Sequence, residues 1–298
     1  MIELSICIVT YRTRDYLKKC LDSIYSKPPS ISFEIVIVDN GSNDGTLEML
    51  ASSYPDTQVI ANKTNMGYTK PMNQALHCAV GNFLVQLNPD TVIQPGALDI
   101  IFNYLQSHPE IGICTPKVLN RDGSMQWQCR RSEARPWDVI TYFTRLCQVY
   151  PTRPFFAGYL MTYKSEDEIY EVQAVSGSCM FIRRAVIDQI GYLDEIFFAY
   201  QEDTDFCIRA RNAGWKILYL PLAKIIHYGA EGGTRVHPYR SIIEWHRSYF
   251  MYYQKWLAKD YFFLLNWLFY GLMAVKFVFA MTTILISRDK IPSTPKPS

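Results

Sequence analysis

Phe33-Glu34-Ile35-Val36-Ile37-Val38-Asp39-Asn40-Gly41-Ser42 decides the fold. Its apolar run shows no polar alternation, which reads as a strand buried on both faces. The run then ends abruptly on a carboxylate, an amide and a glycine. Strands buried on both faces belong to helix-covered parallel sheets, and such sheets collect ligands beyond the carboxyl ends of their strands. An aspartate has little packing reason to sit there, but Asp39 can accept the imide N–H of uracil or thymine, with Asn40 beside it. A turn, or a helix cap shared with Ser42 and Asp44, is the plainer account of the same residues.

Outward from this stretch the pattern repeats. Residues 4–9 form a mostly apolar run bounded by Thr10-Tyr11-Arg12, and residues 16–25 carry Leu17, Cys20, Leu21 and Ile24 at helical spacing. Residues 45–51 read as a helix, 59–61 as a short strand and 69–80 as a helix. Residues 83–87 read as a strand ending at Asn88-Pro89-Asp90, 96–105 as a helix and 111–116 as a strand. This alternation predicts an α/β fold with a mainly parallel central sheet flanked by helices. From residue 120 to about 171 the period dissolves, and the segment reads as a substrate-facing insertion. Order resumes at 172–183, a strand expected to run through Ser176-Gly177-Ser178.

With 298 residues, 49% of them hydrophobic, the chain can bury a substantial core. A net charge of +2 without a basic arm argues against a nucleic-acid partner. The eight cysteines form no Cys-x-x-Cys pair and no zinc-finger spacing, which favours a reduced, cytoplasmic setting. The start, Met1-Ile2-Glu3-Leu4, does not read as a signal peptide.

The tail differs from everything before it. Trp245, Tyr249, Phe250, Tyr252, Tyr253 and Trp256 are interleaved with Arg247 and Lys255, and residues 262–287 are then largely apolar around Asn266 and Lys276. At about 1.5 Å per residue the second stretch matches a hydrocarbon core of about 30 Å. Lys276 near its middle costs about 2.5–3.5 kcal/mol in a span. The expectation is a helical tail on the membrane surface, in the interface plane or across the bilayer. The alternative is an aromatic helix packed on the rest of the chain or in a homo-oligomer. Residues 291–298 read as a disordered end.

Four further strand ends or helix mouths carry the chemistry. Tyr11 is placed to stack on a base and Thr10 to bond to it. Asn65-Met66-Gly67-Tyr68 precedes a helix whose N-terminus faces a phosphate or base, with capping by Asn65 as the plain alternative. Asn88-Pro89-Asp90 offers one full carboxylate, Asp90, to Mg²⁺ or Mn²⁺ bridging two phosphates, and His227 either completes that site or donates to the diphosphate. Glu202-Asp203-Thr204-Asp205 opens a helix, where acids suit the dipole. Three acids exceed what one cap requires, so Asp203 is read as a general base and Glu202 as its orienting neighbour.

In their order along the chain, Val9-Thr10-Tyr11, Val38-Asp39-Asn40-Gly41-Ser42, Asn65-Met66-Gly67-Tyr68, Leu87-Asn88-Pro89-Asp90, Gly177-Ser178, Gly191-Tyr192-Leu193-Asp194-Glu195, Glu202-Asp203-Thr204-Asp205 and His227 resemble the inverting family-2 glycosyltransferases. Within them the likeness is to the rhamnosyltransferase-type branch, and it covers residues 2–234. The resemblance implies a GT-A fold over residues 1–238, with a nucleotide half at about 1–117 and an acceptor half at about 118–238. Residues 239–290 then form a membrane-associating or dimerising tail. It implies Asp39 reading a pyrimidine, Asp90 and His227 at the metal, Asp203 as base and Gly177-Ser178 lining the donor sugar. Arg12 stands where an Asn is common, and Lys70-Pro71 replaces small residues. Both bear on the donor, for which dTDP-L-rhamnose is the first expectation and a UDP-sugar the next. The implied acceptor is a glycan or lipid-linked sugar at the inner face of the plasma membrane, in cell-surface polysaccharide synthesis. Two other readings are a catalytically idle nucleotide-sugar-binding paralogue and a sugar nucleotidyltransferase. The second would need a Gly-rich loop after the first strand, whereas Gly232-Gly233-Thr234-Arg235 lies near the wrong end.

Overall fold

The computed structural model describes residues 2–229 and 236–287; the run 232–235 and the end 291–298, expected to be disordered, lie outside the described residues. β1 (Leu4–Thr10) and β2 (Phe33–Asp39) pair in parallel, with Thr10 opposite Asp39. β3 (Gln58–Ala61) flanks β2 and β4 (Phe83–Leu87) flanks β1, both also parallel. The returns are helical: α1 (Arg14–Tyr25), α2 (Thr46–Ser53) and α3 (Thr69–Cys78). α1 buries Leu17, Cys20, Leu21 and Ile24, the positions whose spacing predicted it. Each such Leu or Ile contributes about 1.5–3 kcal/mol over exposure. Parallel pairing brings the ends of β1, β2 and β4 to one edge of the sheet, so Thr10, Asp39 and Leu87 open towards one crevice.

Beyond β4 come β5 (Thr91–Ile93), α4 (Ala97–Ser107) and β6 (Ile111–Leu119). The aperiodic segment holds the short pieces β7 (Arg130–Arg131), α5 (Pro136–Phe143), α6 (Leu146–Val149), α7 (Pro154–Ala157) and β8 (Tyr170–Glu171). Then follow β9 (Ala174–Val175), β10 (Cys179–Arg183), α8 (Arg184–Ile190), α9 (Glu202–Asn212), β11 (Lys216–His227), α10 (Pro238–Tyr252) and α11 (Phe263–Ser287). The main sheet is ordered β3-β2-β1-β4-β10-β6-β11-β5, with β8 added on β11. Six of its nine strands run in one direction; β5, β8 and β10 run against them. β10 lies antiparallel between β4 and β6 and joins the two halves into one sheet.

Two expected elements come out differently. The single strand over 172–183 is broken, and Ser176-Gly177-Ser178 is the corner between β9, which pairs with β7, and β10. The backbone at Gly177 leaves the ladder because its N–H goes to the Asp203 carboxylate and its carbonyl accepts from Gln86. Conversely, the apolar runs 217–220 and 223–226, which read in the sequence as a strand and a separate run leading to His227, are one strand, β11, with a register shift between Leu220 and Lys224. Pro221 sits in that shift, where a missing N–H costs the ladder nothing.

α10 is packed into the body of the molecule. Tyr249, Tyr252 and Tyr253 are buried with Phe197, Ile208 and Phe269. The Tyr249 hydroxyl donates to the Ala134 carbonyl (2.7 Å) and the Ser248 hydroxyl to that of Ala199 (2.7 Å). α11 touches this body along one side only: Phe269 is buried, whereas Trp267 and Phe279 are 70% and 72% exposed. Lys276, the charge that interrupts the apolar run, turns inward. Its Nζ lies 2.9 Å from His246 Nε2 and 3.8 and 3.9 Å from the ring centres of Trp245 and Phe143. All eight cysteines are free thiols, seven of them buried.

Candidate active site

The carboxyl edge of the sheet opens into a cavity of about 560 Å³. Its walls include Tyr11, Asn40, Asn65, Gly67, Asn88 and Asp90 from the parallel half, and Gly177, Ser178, Glu202 and Asp203 from the other. The two acid sites singled out in the sequence, 90 and 202–203, therefore face one space. Thr10, Arg12, Asp39 and His227 are not part of that lining. The Thr10 hydroxyl is buried against Thr13 Oγ1 at 2.8 Å. Arg12 is exposed, its backbone N–H bonded to Ser42 Oγ (2.9 Å) and its guanidinium 5.3 Å from the Tyr11 ring centre. The Tyr11 ring is stacked with His237, centroids 6.0 Å apart.

At the end of β2, Asp39 Oδ2 accepts the Ser42 N–H at 3.1 Å, the turn that its sequence context suggested. Oδ1 is buried with no hydrogen-bond partner among the described residues. A carboxylate oxygen left bare in this way is costly unless a ligand donor completes it. Burial raises the Asp39 pKa, with nearby Asp44 adding to it and the Ser42 bonds opposing it. Asn40 is a brace: its amide donates to the Gly67 carbonyl (2.6 Å) and to Asn65 Oδ1 (3.1 Å), and its oxygen accepts the Met66 N–H (3.1 Å). Asn65 Oδ1 also takes the Gly67 N–H (2.9 Å), so both amides shape the loop. Gly67 has φ +92°, and a Cβ there would meet the Phe198 carbonyl and ring carbons, the latter at 2.7 and 2.9 Å. Only glycine fits.

Asp90 Oδ1 lies 3.1 Å from His227 Nε2, and Asn88 Nδ2 lies 3.2 Å from the same nitrogen. Sheet pairing makes this contact: β11 runs antiparallel to β5 with His227 opposite Thr91, next to Asp90. His227 Nδ1 is 2.7 Å from Gln126 Oε1, a contact satisfied by Nδ1–H donation. In the neutral ring Nε2 then turns a lone pair towards Asp90. One carboxylate oxygen and one imidazole nitrogen, aimed together, suit a divalent cation whose other ligands are phosphate oxygens. Among the described residues no third His, Cys, Asp or Glu joins them.

Asp203, at the mouth of α9, is fully engaged. Oδ2 accepts the Gly177 N–H (3.0 Å) and pairs with Arg131 Nη2 (2.7 Å), while Oδ1 accepts the Thr204 N–H (2.7 Å). Burial works against the Arg131 charge, but Asp203 beside it prevails and raises the guanidinium's pKa. Glu202 has the opposite surroundings: Oε2 is buried without a partner among the described residues, and burial, then Asp203, push its carboxyl well above the usual range. The third acid, Asp205, serves the fold, bonded to Arg209 (2.8 Å), Lys255 (2.6 Å) and the Trp256 indole N–H (2.8 Å). Tyr68 links the two acid sites, its hydroxyl 3.3 Å from Asn88 Oδ1 and 3.4 Å from the Gly177 carbonyl. A Cβ on Gly177 would strike the Gln86 amide, which explains the glycine.

Sequence reasoning missed Gln126 and Arg131, the partners of His227 and Asp203. Both lie in the aperiodic run Gln126-Trp127-Gln128-Cys129-Arg130-Arg131, where no spacing marks them. The only signal within that run was the arginine pair Arg130-Arg131. Lys70, one of the departures from the family pattern, lines a separate hollow with Glu195 and Arg247.

The glycosyl transferase family 2 model matches residues 5–191. An N-acetylglucosaminyl-diphospho-decaprenol L-rhamnosyltransferase of Mycobacterium tuberculosis is 26% identical over 260 residues, covering 84% of this chain and 83% of that protein. A low-salt glycan biosynthesis hexosyltransferase of Haloferax volcanii is 29% identical, covering 78% and 69%. Among solved structures, a Pyrobaculum calidifontis mannosyltransferase in complex with GDP-Man and Mn²⁺ superposes with TM-score 0.56 at 17% identity, covering 85% of this chain and 64% of that one. Staphylococcus aureus TarS 1-349 in complex with UDP-GlcNAc gives TM-score 0.55 at 20% identity, covering 82% and 64%. The chain thus spans just under two thirds of these two solved chains. The mixed sheet with helices on its faces is the GT-A fold. With more than half of its length matched by the family model, the chain belongs to glycosyl transferase family 2.

Proposed function

We propose that the chain moves a sugar, with inversion, from a nucleoside diphosphate sugar to a lipid-linked glycan acceptor in cell-surface polysaccharide synthesis, on the cytoplasmic face of a membrane. The observation that carries this reading is that Asp90 and Asp203 line a single cavity. In-line displacement needs a group that withdraws the diphosphate on one side of the sugar and a base on the other. Asp39 takes the pyrimidine imide N–H with its bare oxygen, and Tyr11 stacks on the base. Asp90 and His227 hold Mg²⁺ or Mn²⁺, which when bound offsets the charge gathering on the departing diphosphate. Asp203, held by Arg131 and by the Gly177 and Thr204 N–H groups, takes the acceptor hydroxyl's proton. Glu202, its carboxyl protonated, donates to and orients the acceptor.

dTDP-L-rhamnose is the favoured donor, a reading supported by the mycobacterial relative, whose name gives rhamnosyl transfer to a diphospho-decaprenol-linked sugar. The membrane reading is supported by residues 263–286, with mean hydropathy 1.9 and 6% of the most apolar window buried. A panel of dTDP-, UDP- and GDP-sugars, each with and without Mn²⁺, tests the proposal on the full chain in detergent. Metal-dependent transfer to a lipid-linked sugar with inverted anomeric configuration is expected. Retention of configuration, or nucleotide binding without turnover of any donor, overturns it.

A further inference from the structure

The aperiodic segment carries an outer surface that the donor and metal assignments leave unused. Pro136 and Pro154 each open a short helix, α5 and α7, with α6 between them. The inner sides of this segment meet in a small core of Cys147, Ala157 and Leu160. Its outer side stays apolar and open: Val149 and Phe155 are 65% and 66% exposed, and Trp137, Phe143 and Tyr150 are exposed as well. The rings hold one another in place. Trp137 lies 5.0 Å from Phe155 between ring centres and donates its indole N–H to the Phe155 carbonyl (2.8 Å), and Tyr150 lies 4.9 Å from Phe156. The charges here have one sign. From Val139 to Lys164 the chain contains Arg145, Arg153 and Lys164 and no acid. Both arginines are exposed. Asp138, just before this run, is half-buried beside Gly158, and Glu166 and Asp167, just after it, are paired with Lys117 of β6.

We propose that the α5–α7 face rests on an anionic lipid surface, with Arg145 and Arg153 on lipid phosphates and Trp137, Val149 and Phe155 at the acyl boundary, and that it holds the acceptor end of the cavity against the membrane. The inference rests on the membrane reading given above and deepens it. Exposed apolar groups this close together mark an interaction surface, and aromatic rings mixed with cations are what a headgroup layer receives best. A second copy of the chain fits less well, because a twofold contact would set these cations against themselves. α5 joins the face to both the anchor and the site. Its last residue, Phe143, has the Lys276 ammonium of α11 3.9 Å from its ring centre, while Val139 and Tyr142 line the cavity. α11 holds the chain to the membrane. Two arginines and a few rings add orientation, since stable attachment takes more than one weak signal.

The probes are vesicles of pure phosphatidylcholine and vesicles mixed equally with phosphatidylglycerol, with the full chain reconstituted in each. An environment-sensitive dye on Val149→Cys reports contact; seven of the eight native thiols are buried, and the parent treated with the same dye gives the background. In the mixed vesicles the dye emission is expected to shift to the blue and to be quenched by brominated lipid, and high salt should reverse both. Arg145→Asn combined with Arg153→Gln, the asparagine suiting the left-handed backbone at 145 (φ 61°), should lower the ratio of docked to undocked chain at least tenfold, about fivefold per charge. Melting temperature, nucleotide binding and transfer to a short-chain, water-soluble glycoside should stay at the parent's level, while transfer to a vesicle-embedded acceptor falls. Equal dye signals in neutral and anionic vesicles, or in the parent and the arginine variant, overturn the lipid surface. A signal that follows protein concentration instead of lipid composition gives the patch to a second copy and overturns it too. A docked chain that transfers sugar to neither acceptor overturns the proposed function and leaves the surface standing.

Discussion

Replacing Asp203 with asparagine removes the proposed base while keeping its shape, but two effects must be separated. Asp203 is also half of a buried ion pair with Arg131, the two side chains 12% and 9% exposed and 2.7 Å apart. Neutralising one partner strands the other charge, at a cost of about 3–5 kcal/mol. For a chain of this size that lowers the melting temperature by about 6–20 °C. The amide also cannot accept both the Gly177 and the Thr204 N–H, because its nitrogen only donates. Loss of a general base adds a kinetic effect of about 10²–10⁴ in turnover. The two are resolved by measuring initial rates well below the melting transition, scaled to the folded fraction from circular dichroism. The double variant Asp203→Asn/Arg131→Met removes both charges and should recover most of the lost stability, since the stranded guanidinium is gone. Its turnover should stay as low as that of the single variant. If turnover returns with stability, the defect was one of packing and the base lies elsewhere.

Asp39→Asn turns its single oxygen to the Ser42 N–H and presents its amide N–H donors to the imide N–H, so the donor KM should rise about tenfold, from a loss of about 1–3 kcal/mol, with turnover unchanged; equal KM values exclude Asp39 from base recognition. Chelation should abolish transfer and Mn²⁺ or Mg²⁺ restore it, with Asp90→Asn raising the metal needed for half-maximal rate; full activity in chelator removes the metal from the reaction. Glu202 binds its proton more tightly when folded than unfolded, so its contribution to stability declines as pH rises above about 5. Glu202→Gln, which cannot ionise, should flatten that decline, and parallel curves of melting temperature against pH for parent and variant would refute the assigned environment. A chain ending at Asp260 keeps the contacts of Tyr249, Tyr252 and Trp256 with the body yet loses α11. It should fold and no longer float with vesicles, whereas flotation equal to the full chain's would place the membrane contact elsewhere.

The parallel half of the fold was legible because its central strands β1, β2 and β4 are buried on both faces and its helices on one. Residues 83–87 and the apolar set of α1 emerged as read. β5 was not, because three residues carry no period and only pairing with β11 makes them a strand. The corner at Gly177 was hidden for a related reason: its backbone partners, Asp203 and Gln86, are distant in sequence. Asp39 stood out as a carboxylate with little packing reason, Asp90 as the one full carboxylate of Asn88-Pro89-Asp90, and Asp203 through an excess of acids at a helix mouth. Asn40 and Asn65 look equally polar in the sequence, yet they brace the loop around Gly67. Lys276 was the hardest to read. A charge within an apolar run looks like an obstacle to membrane binding until the partner face, 30 residues away in α10, is known.

The shifted register in β11 carries a consequence for how this family drifts. His227 meets Asp90 because β11 reaches β5 in one particular alignment, set where Pro221 interrupts the ladder between Leu220 and Lys224. Side chains alternate along a strand, so adding or deleting one residue there would swing the imidazole to the opposite face of the sheet. Every motif would still read as intact, letter for letter. A descendant of this protein could thus fall silent through a change that no motif search would notice.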